Sequence, residues 1–336
     1  MRALVFQGPG RLHVEARPDP VPGPGEVLLD VIATGICGSD LHGYTGQNGR
    51  RFPGQVMGHE TVARVRAGGA LAPGTLVTVN PVLACGDCAA CRADSQQRCP
   101  RRRVIGVDPA ISSAFAEQIA VPGDNVVPLA DDLPPPMGAL VEPLSVGYHA
   151  ARRGGVTADA AVLVIGGGPI GQAAALAAER LGARTLVSEP DATRSALLRT
   201  LGFPVVTPAA PDLGDRVVAA LGVAPTVVVD AVGNTRSLGQ ALELSDPGAT
   251  VVLVGMDKPR VDLAAYQIST EERTIVGSFC YTAGEFRGTA EWLAAESGRL
   301  AALVDVEVDL EAAPDTFAEL AAGRMNASKV LVRTGA

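Results

Sequence analysis

The stretch "AVLVIGGGPIGQAAALAAERLGARTLVSEP" (161–190) decides how this chain is read. "AVLVIGG" (161–167) begins as a short apolar, β-branched run, which predicts a buried strand. The Ala-rich run to Leu181 predicts a helix ended near Gly182, and "RTLVSE" (184–189) predicts a second strand. Between the first strand and the helix, Gly166, Gly168 and Gly171 are spaced G-x-G-x-x-G. The first glycine allows a tight turn, the second lets backbone approach a pyrophosphate, and the third lets helix pack on strand. The helix N-terminus then faces the phosphates. Glu189 ends the next strand 18 residues after Gly171, where a carboxylate can bind both ribose hydroxyls and repel a 2′-phosphate. The stretch therefore reads as a dinucleotide site favouring NAD over NADP, with Arg194 a mild contrary signal. The competing reading is a similar sheet that binds no nucleotide.

Beyond this unit the rhythm continues. A helical "DATRSALLRTLG" (191–202) precedes strand-like runs at 226–233, 250–255 and 274–279, so strands alternate with helices. That alternation predicts a doubly wound parallel sheet. After Tyr281 come one more helical run (289–300) and the β-like "KVLV" (329–332). Towards the N-terminus the pattern differs. From Met1 to about Pro143, β-like runs at 26–35, 61–69 and 75–82 are broken by Gly and by the Pro-rich connectors 18–26 and 133–138. A chain of 336 residues exceeds what one core supports, so the expected fold is α/β with a separate loop-rich β domain.

Composition narrows the function. Hydrophobic content of 47% excludes a disordered chain. A net charge of −8 and a pI near 5.1 argue against a nucleic-acid or membrane-surface role. Lysine occurs only at positions 258 and 329, and arginine carries nearly all other positive charge. "MRALVFQGPG" (1–10) lacks a basic start followed by an apolar run, and the apolar stretch 160–178 is interrupted by glycines, Pro169 and Gln172. The expectation is a cytoplasmic protein without membrane spans, whose thiols stay reduced.

Thiols matter because "CGDCAACRADSQQRC" (85–99) holds four of the six cysteines. Cys85, Cys88 and Cys91 are spaced C-x2-C-x2-C, with Cys99 seven residues further on. In a reducing compartment such clustering points to metal rather than disulfides. A second set is dispersed: "TGICGSDLHGY" (34–44), "VMGHET" (56–61) and "LVEPLSVGYHA" (140–150). Cys37, His59 and Glu142 offer one soft and two harder donors, the mixture expected of a catalytic zinc with an open position. Singly, each is as readily a core cysteine or a hydrogen-bonded histidine; only the combination points to metal.

These pieces together resemble the zinc-dependent medium-chain dehydrogenase/reductases, nearest the sorbitol and secondary-alcohol dehydrogenase branch. "CGSDLH" (37–42), "GHE" (58–60), the four-cysteine lobe, "EPLSVGYHA" (142–150), "GGGPIG" (166–171) and "SKVLV" (328–332) occur in the family's order. The resemblance implies a GroES-like β-barrel catalytic domain over 1–145, completed by 281–336, and a Rossmann NAD-binding domain over 146–280. It implies two zinc ions per chain, one catalytic at Cys37, His59 and Glu142, one structural at Cys85, Cys88, Cys91 and Cys99. Glu60 is implied as an alternate or exchanging ligand. By the same resemblance Asp40 would orient His59 through its free ring nitrogen. Ser39 would hydrogen-bond the substrate oxygen and, with His42 and the cofactor ribose, pass the proton to solvent. Cofactor contacts are expected at Gly166, Gly168, Pro169, Ile170, Gly171, Glu189, Arg194, Val254 and Phe279. A homodimer or homotetramer is expected.

The implied reaction is the reversible, NAD-linked oxidation of a secondary alcohol of polyol, sugar or cyclitol type. Alternatives are a threonine- or butanediol-type dehydrogenase and a non-catalytic relative that binds zinc and nucleotide. Many polyol dehydrogenases carry an arginine in the segment aligned with "GSFCYT" (277–282), where this chain has Phe279, Cys280 and Tyr281. With Tyr44, these side chains are expected to form an aromatic substrate wall, favouring a cyclic secondary alcohol over ethanol or sorbitol.

Overall fold

The glycine-rich stretch forms the middle of a six-stranded parallel sheet in the computed structural model, which describes residues 1–47, 49–111 and 113–335. The strand order is Val205–Val206, Arg184–Ser188, Ala161–Ile165, Val227–Asp230, Thr250–Leu253, Thr274–Gly277. Pairing starts at the Ala161 strand and works outwards in both directions, the doubly wound order of dinucleotide-binding sheets. Ala161–Ile165 and Val227–Asp230 are buried along their whole length, as strands covered on both faces must be. Leu163, Leu186, Val228, Leu238 and Val251 are among the side chains that form this core.

The chain divides into two compact units, Met1–Glu142 with Thr282–Ala336, and Pro143–Tyr281. In the first unit, Glu26–Gly35 is the central strand of a mainly antiparallel sheet. Its residues alternate between buried and half-buried to Ala33, the period of a strand packed on one face. It pairs with Glu60–Ala67 on one side and with the C-terminal strand Val330–Arg333 on the other. Residues 282–336 are thereby tied to the N-terminal half by backbone hydrogen bonds. Among the described residues, no helix is long and apolar enough to cross a membrane.

One element carries no secondary-structure expectation from the sequence: "LVEPLSVGYHA" (140–150) is read only for its motif, and Val141–Arg153 is a helix. Gly147 lies within it because a Cβ there would stand 2.3 Å from the carbonyl carbon of Ala173. Close packing onto the helix Pro169–Arg180 outweighs glycine's weak helix propensity.

Candidate functional site

The strand Glu26–Gly35 delivers the chain to Cys37, which caps the short helix Gly38–Tyr44. Asp40 folds back to accept a hydrogen bond from the Cys37 backbone N–H at 3.3 Å. Ser39 and His42 lie three residues apart on this helix and so share a face. His59 enters from a second segment. Gly58 precedes it in the left-handed region, at φ 98°, where a side chain would also collide with Thr34 and the Phe115 backbone. Glu60 then opens the next strand directly opposite Gly35.

This register brings distant residues together. Donor atoms of Cys37, His59 and Glu60 all lie within 4.8 Å of one another, with His59 and Glu60 buried. His59 Nδ1 faces Asp40 Oδ1 at 3.8 Å, too far for a direct hydrogen bond. Glu142, also buried, stands outside that group of three, but its charge acts on His59. Burial opposes a proton on His59, yet Asp40, Cys37 and Glu142 together outweigh it and hold the imidazole pKa well above its ordinary value. One thiol, one imidazole and nearby carboxylates crowded away from water create a demand for positive charge. A divalent zinc ion meets that demand with donors of the right kind.

Arg51 also serves this cluster. It crosses the helix at Gly43, where a Cβ would stand 2.5 Å from the arginine Cγ, and its Nη2 reaches Asp40 Oδ1 at 3.5 Å. Sequence reading missed it, since nothing local marks a buried arginine.

The four-cysteine lobe has a different character. Sγ–Sγ separations are 3.8 Å for Cys85–Cys91, 3.5 Å for Cys88–Cys91 and 3.4 Å for Cys99–Cys85, and none of these thiols is in a disulfide. Four sulfurs at about 2.3 Å from a common tetrahedral centre would stand about 3.8 Å apart, so the observed cage fits zinc. Desolvation, then a hydrogen bond with Cys88, pushes the Cys91 thiol up to about 11. A cation in the cage would reverse that resistance to ionisation. Cys280 belongs to neither cluster.

In the second unit, Gly166 turns the chain at φ 93°, and a Cβ on Gly171 would lie 1.7 Å from the Gly166 carbonyl oxygen. Gly168 differs: a Cβ there meets only Arg194 Nη1, at 4.0 Å, which leaves open space beside the N-terminus of the helix Pro169–Arg180. Glu189 accepts hydrogen bonds from Gly167 N–H at 2.5 Å and Asp191 N–H at 2.7 Å, which fix its carboxylate beside the turn. Arg194 Nε is buried without a partner. Pro169 and Ile170 are half-buried in the helix's first turn, and Val254 follows the strand Thr250–Leu253. Phe279 is 41% exposed.

Two of the side chains expected in an aromatic substrate wall, Tyr44 and Tyr281, are buried. Tyr44 packs against Phe317 with ring centroids 5.7 Å apart, and its hydroxyl donates to the Gly10 carbonyl. Tyr281 is completely buried. Both are core residues, placed there by apolar ring area that the sequence reading assigned to substrate.

Comparison with known proteins gives a consistent result. Residues 23–131 match the family described as "Alcohol dehydrogenase GroES-like domain", and residues 169–295 match "Zinc-binding dehydrogenase". L-galactonate-5-dehydrogenase of Escherichia coli (strain K12) is 33% identical over 92% of this chain and 90% of that protein. Sorbitol dehydrogenase of Macaca fascicularis is 32% identical over 94% of this chain and 91% of its own. A zinc-binding dehydrogenase from Sinorhizobium meliloti 1021, solved bound to NADP, superposes with a TM-score of 0.88 at 29% identity, covering 99% of this chain and 98% of that one. An alcohol dehydrogenase from E. coli complexed with NADH superposes with a TM-score of 0.88 at 27% identity, covering 99% of each chain.

Proposed function

The chain belongs to the zinc-dependent medium-chain alcohol dehydrogenases, and from that premise we propose a reversible, NAD-linked oxidation of a secondary alcohol of polyol or sugar type to the ketone. Its GroES-like domain and parallel Rossmann sheet are those of the family. The observation that carries the reading is the convergence of Cys37, His59 and Glu60 donor atoms within 4.8 Å, beside buried Asp40 and Glu142. Zinc, when bound, supplies a Lewis acid that makes an alcohol hydroxyl acidic, and NAD supplies the hydride acceptor.

The chain's own residues do the rest. Cys37, His59 and Glu142 would hold the metal, with Glu60 as an alternate ligand. Asp40 faces His59 Nδ1 and keeps the ring turned towards its ligand role. Ser39 Oγ accepts the substrate's hydroxyl proton, and His42, on the same helix face, passes it towards solvent. Cys85, Cys88, Cys91 and Cys99 would hold the second zinc through four thiolates, a structural donor set. Gly166, Gly168 and Gly171, with Pro169 and Ile170, cradle the cofactor pyrophosphate, and Glu189 takes the ribose hydroxyls. Its carboxylate would repel a 2′-phosphate, which supports NAD; the nearness of Arg194 to Gly168 supports its contact with a phosphate of either cofactor. Val254 and Phe279 contact the cofactor further along.

With Tyr44 and Tyr281 in the core, the case for a cyclic substrate loses its physical basis. The relatives that act on L-galactonate and sorbitol support an open-chain polyol or sugar acid instead. We assign the protein to the cytoplasm as a homodimer or homotetramer. The sheet edge Thr274–Gly277, unpaired on its outer side among the described residues, and the exposed Leu263 and Tyr266 on the preceding segment support self-association. The test is a panel of polyols, sugar acids and simple alcohols with metal-replete protein, followed by NADH absorbance. We expect turnover on a polyol or sugar acid and a higher kcat/KM with NAD than with NADP. Absence of turnover with every alcohol and both cofactors would refute the assignment.

A further inference from the structure

Lysine is nearly absent from this chain, yet one of its two lysines is buried beside the candidate metal centre. Lys329 Nζ lies 2.6 and 2.8 Å from the two carboxylate oxygens of Glu60, and their side chains are 3% and 1% exposed. The third ammonium donor faces the Ile36 carbonyl at 3.4 Å, one residue from Cys37. All three donors of the ammonium are thus engaged. The proposed mechanism gives this group no task.

Its placement is built in from several directions. Asp305 accepts hydrogen bonds from the backbone N–H groups of Ser328 and Lys329 at 2.8 and 2.9 Å. The strand that follows, Val330–Arg333, pairs Leu331 with Gly35, so Lys329 arrives at the start of the metal-binding segment. Gly35 supplies the room. A Cβ there would lie 2.0 Å from Glu60 Oε2, so an alanine would displace the carboxylate that Lys329 grips. Glu60 therefore has two claimants, an ammonium touching both oxygens and the Cys37–His59 cluster within 4.8 Å.

We infer that Lys329 is a positioning residue for Glu60, holding its carboxylate in reserve beside Cys37 and His59 so that Glu60 reaches the metal only by releasing an oxygen from Lys329. An oxygen sharing its charge with an ammonium is a weaker metal donor, so Lys329 makes Glu60 an exchangeable ligand. The inference rests on the zinc-site reading above and adds to it a residue supplied by the C-terminal segment.

Cobalt(II) substitution of the full chain tests it, because ligand-field and thiolate-to-metal bands report coordination directly. Cys37→Ser serves as the reference for which bands belong to this centre. In Lys329→Met, Glu60 is expected to bind the metal without competition. The bands should shift, and resistance to a chelator should rise about 10- to 100-fold, the range in which outer partners change metal affinity. Lys329→Arg, which keeps the cation, should restore the wild-type spectrum. In a Glu60→Gln background the further change Lys329→Met should move neither readout, since the effect acts through Glu60.

An unshifted spectrum and unchanged chelator resistance in folded Lys329→Met would overturn the inference, as would an effect that persists in the Glu60→Gln background. If Lys329→Met does not fold, the buried pair can still be probed through the neutral double variant and Lys329→Arg. Chelator resistance in the double variant equal to that of Glu60→Gln alone, together with a wild-type spectrum in Lys329→Arg, supports the inference; any other pair of results overturns it. A Cys37→Ser spectrum identical to wild type would instead mean that no metal binds at Cys37, and the functional reading would fall with the inference.

Discussion

The four-cysteine lobe and the Cys37–His59–Glu60 centre are built by opposite means. The lobe draws all its donors from fifteen consecutive residues (85–99), and they are chemically identical. The centre draws on residues 37, 59 and 60, with 40, 51, 142 and 329 around them, and no two side chains have the same task. A local, uniform cage can be closed by the metal itself and contributes folding energy. A centre assembled across strands must already be folded before its donors meet. Loss of one donor should therefore cost the lobe stability and cost the centre chemistry.

The largest expected effect tests the chemical half of that contrast. His59→Ala should abolish turnover while circular dichroism and thermal unfolding stay close to wild type, with metal content falling from two zinc ions to one. Unfolding of the variant would show that the centre, too, is structural. The same histidine gives a pH signature. Its raised pKa means that a metal must displace a firmly held proton, so metal retention at the centre should weaken as pH falls. Chelator competition at a series of pH values reads this directly, and pH-independent retention would contradict it.

Cys99→Ser tests the structural half. Cys99 is buried, and its serine would be a poor zinc donor. Bound structural zinc is worth about 10–16 kcal/mol in small zinc-folded domains, comparable to the roughly 5–15 kcal/mol that keeps a domain folded. Even a loss of about 3 kcal/mol would lower the unfolding midpoint by roughly 6–12 °C in a unit of this size. Turnover per folded molecule should stay near wild type. A variant that keeps its melting temperature and loses kcat would invert the comparison.

The helix Gly38–Tyr44 sharpens the division of labour within the centre. Ser39→Ala should lower kcat about 10²- to 10⁴-fold, the range for a positioned proton-transfer group. His42→Ala should cost less, because water can take over the outer step, and it should alter the pH profile of kcat. Near-wild-type kcat in Ser39→Ala would mean the proton leaves by another path.

How far the two regions were legible in sequence follows from the same contrast. The lobe could be read as a metal site from its spacing together with the expected reducing compartment, because all its geometry is local, and its structural role came from the family resemblance. The strand at 26–35 and the glycine turn were equally plain, each carrying its own period or spacing. Cys37, His59 and Glu60 could be named from short motifs, but their meeting depends on the Gly35–Glu60 register, a property of the sheet. Lys329 stood inside the quoted "SKVLV" (328–332), but its task could not be read there: 269 positions separate it from Glu60, and nothing local marks so distant a partner. Tyr44 and Tyr281 failed in the other direction, since sequence does not say which way an aromatic ring turns. The helix Val141–Arg153 was hidden by Pro143 and by Gly147, which serves interhelix packing that no local propensity records.

The smallest effect belongs to the glycine turn, a third kind of site in which backbone does most of the binding and one side chain refines it. Glu189 already spends both oxygens on the N–H groups of Gly167 and Asp191, so its carboxylate is held rigid before any ligand arrives. Rigid placement limits how much a single substitution can change. Glu189→Ala removes hydrogen bonds to the ribose hydroxyls, each involving a charged acceptor and worth about 1.5–3 kcal/mol, which corresponds to roughly 10- to 100-fold in preference. It also removes the repulsion of a 2′-phosphate, with Arg194 left beside Gly168 as an uncompensated cation. The ratio of kcat/KM for NAD to that for NADP should therefore fall by that factor, mostly through KM, while zinc content remains at two. Neither outcome expected at the metal sites, lost turnover or lost stability, should appear here. An unchanged NAD/NADP ratio in Glu189→Ala would show that the preference is set by the turn's backbone and Arg194 rather than by this carboxylate.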